Sequence, residues 1–152
     1  MFRYDPWQNP LGRREPTLRP DFAVLSGGKL LAVLDAKYRD LWETRLPRDM
    51  LYQLAIYALS KDTGKPRSTI LYPTLAANSV DQVVLLKDPI LGHKRAEVVL
   101  RPVNLLQMEG LIRAQQSILV VRKKQQFARD LVFGRNEDFF TNALKNVSPV
   151  EV

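Results

Sequence analysis

A chain of 152 residues, 45% hydrophobic and 26% charged, has the size and composition of one globular domain and is too short for two full cores. No run approaches the roughly 18 apolar residues of a membrane span, the opening MFRYDPWQNP lacks the apolar stretch of a secretory leader, and the lack of cysteine excludes disulfides and thiolate-held zinc. A formal net charge of +7 favours a polyanionic partner, because lysine and arginine release condensed counterions when they meet phosphates; the expected setting is cytoplasmic, with no membrane association.

Residues 1–20 carry Pro6, Pro10, Pro16 and Pro20, each of which interrupts regular structure, and 1–17 is expected to be a lead-in loop. Phe22 to Leu25 and Leu30 to Lys37 are two apolar runs separated by Ser26, Gly27 and Gly28, a turn that predicts a β-hairpin. In RLPRDMLYQLAIYALSK the period changes: Leu51, Leu54, Ala55, Ala58 and Leu59 recur at helical spacing, with Pro47 in the first turn and Gly64 and Pro66 beyond the end. STILYPTL, VDQVVLLKD and AEVVLRPV are then three short β-prone runs. From Asn104 to about Phe133 the apolar spacing predicts one long helix or two joined ones, with Gly110 as the weak point, and Asn136 is placed to cap a last short helix carrying Phe139, Phe140 and Leu144. The whole is a single mixed α/β domain over 1–152, with 146–152 a frayed tail and an abrupt start that suggests the C-terminal part of a longer protein.

The chemistry concentrates in RPDF, LDAKY and YQLAIY. A hairpin that enters at Asp21 and returns through Asp35 brings two carboxylates to one end of the sheet. Asp35 and Lys37 are two apart in a strand, so they share a face and a cation stands beside an acid. Ala36 should point into the core on the other face while its carbonyl offers a third oxygen. Two carboxylates and a carbonyl make a hard-oxygen set suited to Mg²⁺, with Mn²⁺ a plausible substitute, and such an ion acidifies bound water and acts as a Lewis acid at a phosphodiester. Lys37 would orient the attacking water or stabilise the transition-state charge. Gln53 and Tyr57, four apart on the predicted helix, share a face and can hydrogen-bond phosphate or lysine.

Each residue alone has a plainer explanation. Asp21 after a proline is a common turn residue, Lys37 can simply pair with Asp35, and Tyr57 on a helix face is ordinarily core. Their order and shared face favour a site. His93 reads as an exposed loop residue, VRKKQQ as a solvated helix face or a DNA path, Trp7 and Trp42 as packing residues, and Arg13, Arg14 and Arg19 as the basic residues nearest phosphate.

Over roughly residues 18–75 the sequence resembles the PD-(D/E)XK nuclease superfamily: Pro20 and Asp21 fall on its first motif, Asp35 and Lys37 on the second acid and lysine, and Gln53 and Tyr57 on the helical glutamine and tyrosine of several branches. RPDF, VLDAKY, YQLAIYA and LYP resemble the McrC-like nuclease subunits of restriction systems. The resemblance implies a restriction-endonuclease-like central mixed sheet flanked by helices, Mg²⁺-dependent cleavage of double-stranded DNA by an endonuclease, and an AAA+ GTPase motor as partner. No glycine-rich phosphate loop occurs, so the motor would be another chain. Only Glu15 lies upstream as a counterpart to the glutamate many members carry before the first strand, and it is not assigned. The competing expectations are a catalytically inactive nuclease-fold module that docks a motor or holds DNA, and a repair or recombination nuclease of the same superfamily.

Overall fold

The computed structural model describes residues 5–14, 19–60 and 66–135. After a short 3-10 turn at Pro6–Gln8 come β1 (Phe22–Ser26), β2 (Lys29–Ala36), α1 (Arg48–Leu59), β3 (Arg67–Thr74), β4 (Gln82–Lys87), β5 (Lys94–Asn104), α2 (Leu105–Arg113) and α3 (Ile118–Phe133). The strands form one five-stranded mixed sheet in the order β1-β2-β3-β5-β4. The outer pairs are antiparallel hairpins, and β2, β3 and β5 run parallel in the middle.

The β1–β2 connection is tight because Gly27 and Gly28 both adopt positive φ, 54° and 75°, matching the twist that joins two antiparallel strands. β2 must instead reach its parallel neighbour β3 by a crossover, and α1 supplies it. Pro47 is the N-cap of α1, one position before the expected first turn; its extended ψ of 146° sets the entry angle, and no side chain caps the helix.

Register and alternation put Val33 and Asp35 of β2, Ser68, Ile70 and Tyr72 of β3, and Val98 and Leu100 of β5 on one face. α1 covers that face with Leu54, Tyr57 and Ala58, and Leu41 closes the core from the loop before the helix. Ser68 Oγ donates to the Leu54 carbonyl at 2.7 Å, a buried link that ties helix to sheet. The opposite face carries Leu34, Thr69, Val99 and a row of charges, with the C-terminal end of α3 across it.

The region after Asn104 is two helices, and the break falls at residues 114–117 and not at Gly110, which lies inside α2. Gly110 costs a helix interior only about 1 kcal/mol, whereas the extended Ala114 and the Ser117 side chain, which accepts from Val120 N, start a new helix outright. Neither α2 nor α3 has a fully buried residue, so their apolar stripes do not form the core that their spacing suggested. The expected helix after Asn136, the tail and Glu15 lie outside the described residues.

Candidate active site

The hairpin register decides where the first acid stands. Phe22 is opposite Leu34 and Ala23 opposite Val33, so the ladder stops at Phe22 and Leu34, with Asp21 and Asp35 the next residues beyond it. Lys37 N donates to Leu71 O at 2.9 Å, toward β3, so the Ala36 amide points the other way, toward β1. There it donates to Asp21 Oδ2 at 2.7 Å. The aspartate side chain thus supplies the rung that the backbone ladder no longer provides, which anchors an otherwise exposed carboxylate beside the end of β2.

Asp35 is 2% exposed. Burial of a carboxylate is costly without a partner, and the partner is Lys37, whose Nζ lies 2.5 Å from Oδ2 while its own side chain stays 22% exposed. Among the described residues no other donor reaches that buried oxygen. The hydrogen bond to Asp35 holds the Lys37 ammonium above its ordinary value; partial burial opposes this, and the charges of Asp35 and Asp21 add to it. Lys37 is therefore a fixed cation at neutral pH.

On α1, Gln53 Nε2 donates to Tyr57 Oη at 2.8 Å. The tyrosine keeps its own proton for a further acceptor. Burial raises its pKa, the Gln53 bond lowers it, and the charges of Asp35, Asp21 and Lys37 are all felt at the hydroxyl, the acids raising it and the lysine lowering it. Five residues from two strands and a helix thereby share one electrostatic environment at the end of the sheet.

The structure therefore brings Asp35, Lys37, Gln53 and Tyr57 together at one end of the sheet, with Asp21 near enough that its charge acts on Lys37 and Tyr57. Ala36 departs from expectation: it is exposed, because the opposite face is uncovered where β2 ends, although it follows Asp35 directly and its amide is bonded to Asp21. Trp7 is 95% exposed and so is no packing residue, while Trp42 packs against the core as expected. Arg13, Arg14, Arg19 and His93 are exposed.

Sequence reasoning did not single out Tyr72, which is fully buried on the site's face with no hydrogen-bond partner for its hydroxyl among the described residues; burial, then the charges of Asp40 and Asp81, push its pKa up to about 12. Its only sequence signal was alternation within β3. A cleft of about 830 Å³ opens on the opposite face, lined by Arg67, Asp81, Arg101, Phe127 and Leu131 among others, and none of the five site residues lines it.

Among the described residues no group of three or more His, Cys, Asp or Glu side chains converges. The oxygen set is Asp21, Asp35 and the Ala36 carbonyl. All are hard donors, fewer than six, and so suit a small cation that keeps several of its waters. Among the described residues no helix is long and apolar enough to cross a membrane. Comparison with family models, with curated proteins and with solved structures finds no match to this chain.

Proposed function

We propose that the chain is a Mg²⁺-dependent DNA endonuclease, the nuclease subunit of a modification-dependent, McrBC-like restriction system, working in the cytoplasm with a GTPase motor of the AAA+ type as a separate chain. The observation that carries the reading is that Asp21, bonded to the Ala36 amide, and Asp35, paired with Lys37, both act on the Lys37 ammonium at the end of β2. A carboxylate pair with a fixed ammonium beside it matches what hydrolysis of a phosphodiester requires. Asp21, Asp35 and the Ala36 carbonyl would hold the ion, which when bound supplies Lewis acidity and an acidified water.

The residues of the chain do the rest. The Lys37 ammonium, charged throughout the neutral range, neutralises charge growing on the phosphoryl oxygens. Tyr57, oriented by Gln53, offers its hydroxyl to a phosphate oxygen. The apolar strand around Asp35 and the Ser68–Leu54 link keep this geometry rigid. The motor partner and the restriction role rest on the resemblance of RPDF, VLDAKY, YQLAIYA and LYP alone.

Cleavage of plasmid DNA in Mg²⁺ or Mn²⁺, abolished by Asp35→Ala with folding and DNA binding retained, is the expected result. Continued cutting by that variant refutes the assignment. One observation favours a second reading, a non-enzymatic nuclease-fold module: Asp21 already has a structural partner in the Ala36 amide and Asp35 has one in Lys37. Calorimetric titration with Mn²⁺ separates the two, because a module without a site gives no heat that Asp21→Ala or Asp35→Ala removes.

A further inference from the structure

Four aromatic side chains among the described residues are largely exposed, and three of them adjoin site residues in sequence: Phe22 (54% exposed) follows Asp21, Tyr38 (96%) follows Lys37, and Tyr52 (64%) precedes Gln53. Isolated exposed apolar residues need no explanation. Phe22, opposite Leu34, falls on the face away from α1, whereas Tyr38, the most exposed of the three, directly follows the Lys37 that pairs with Asp35.

Tyr38 is not on a loose segment. The residue before it is pinned to β3 through the bond from Lys37 N to Leu71 O, 2.9 Å. After it, Asp40 Oδ1 accepts from Trp42 N at 2.8 Å, and Thr44 Oγ1 donates to the Asp40 carbonyl. Leu41, 3% exposed, is buried in the core, and Trp42 packs against it. The bend at Tyr38 and Arg39 is thus held at both ends, and it presents a ring that touches almost nothing beside an exposed guanidinium. A rigid ring loses little freedom when it is covered, and an aromatic face next to a cation is the arrangement that takes an unpaired base with its phosphate. Consecutive Cα atoms are about 3.8 Å apart. The Tyr38 backbone thus follows directly on that of Lys37, and stacking requires that a nucleotide next to a phosphate held at Lys37 reach the tyrosine ring.

We propose that the site takes nucleic acid whose bases are unpaired at the bound phosphate, with Tyr38 the platform on which the adjacent base stacks and Arg39 its phosphate contact. In a duplex this requires local opening at the point of attack. The proposal deepens the nuclease reading and rests on it only for what the bound strand is there to undergo.

The test is binding by the full chain in EDTA, without cleavage, at fixed salt, to a fluorescein-labelled DNA single strand and to the blunt duplex of the same sequence. Tyr38→Ala is expected to weaken single-strand binding by at least about five-fold, the low end of stacking on one base, and to leave duplex binding within about two-fold, since phosphate contacts dominate there. Tyr38→Phe and Tyr38→Trp keep a ring face and should bind within about two-fold of the parent. The slope of affinity against salt should be unchanged in Tyr38→Ala and shallower in Arg39→Ala, which loses a phosphate contact. Unchanged single-strand binding in Tyr38→Ala, an equal loss on duplex, or the same loss in Tyr38→Phe overturns the proposal. A chain that binds single strands through Tyr38 yet cuts no DNA in Mg²⁺ sinks the nuclease reading alone; one that cuts while Tyr38→Ala binds normally sinks this proposal alone.

Discussion

The two faces of the sheet treat buried charge in opposite ways. On the face away from α1, Glu97 receives Arg67 on one oxygen and Lys94 on the other, while Arg101 reaches Asp81 through Nε and Nη2 at 2.9 and 2.8 Å and the Leu131 carbonyl through Nη1 at 2.9 Å. Burial pushes the Glu97 carboxyl up, and Lys94 and Arg67 together outweigh it and hold the group below its ordinary value. On the α1 face, among the described residues, Lys37 alone pairs with the buried oxygen of Asp35 and no hydrogen-bond partner reaches Tyr72 Oη. Glu97 and Arg101 on the scaffold face each have two or more partners, whereas the buried oxygen of Asp35 has the single ammonium of Lys37, the kind of sparsely paired group found at ligand sites.

The largest expected effect tests the scaffold face. Glu97→Ala removes the buried acid that Arg67 and Lys94 share and should lower unfolding stability by about 3–5 kcal/mol in urea, with cleavage per folded molecule unchanged. A loss under about 1 kcal/mol would place the network with surface pairs that contribute little.

Asp35→Asn tests the other face. It keeps the shape and removes the charge, so cleavage in Mg²⁺ should fall by about 10²–10³-fold while the thermal midpoint moves little. A large drop in midpoint with proportionate loss of activity would make Asp35 a scaffold residue like Glu97, and the contrast between the faces would disappear.

Gly134 offers a smaller test. Its φ is 93°, and a Cβ there would lie 2.9 Å from Arg101 Nη2. Gly134→Ala should therefore cost about 1–3 kcal/mol through strained backbone, read as earlier melting, with DNA binding at the α1 face intact. Equal stability would show that the Arg101 side chain simply moves aside.

The pH dependence is smallest and has a definite sign. The folded Glu97 carboxyl lies below its ordinary value, so its contribution is complete above the unfolded value of about 4.5 and fades as pH falls through the folded one. Lys37 lies above its ordinary value, so its contribution holds below 10.5 and fades as pH rises through the folded value. Stability followed by fluorescence should then lose its acid-side slope in Glu97→Gln and its alkaline-side slope in Lys37→Met, with neither change visible near neutrality.

Much of this was legible in the residues. Gly27 and Gly28 announced the hairpin turn, the change of period after Pro47 announced α1, and the spacing of Asp35 and Lys37 announced a shared face. What failed did so for tertiary reasons. Ala36 was expected to be buried from alternation alone, yet alternation gives a side and not a cover. The apolar spacing of α2 and α3 is genuine helical periodicity, but periodicity is local and cannot supply a surface to pack against. Glu97 and Arg101 looked like ordinary strand charges, because their partners Arg67 and Asp81 are 30 and 20 residues away.

The sequence by itself determined the elements and the side of each strand on which a residue falls, since both follow from backbone geometry repeated over a few positions. Only the tertiary structure decided that Asp21 reaches the end of β2, that its carboxylate takes the Ala36 amide, and that Gln53 and Tyr57 lie on the helix covering the face of Asp35. Register and coverage join residues that the chain holds apart, and they are fixed by the packing of the whole sheet against α1.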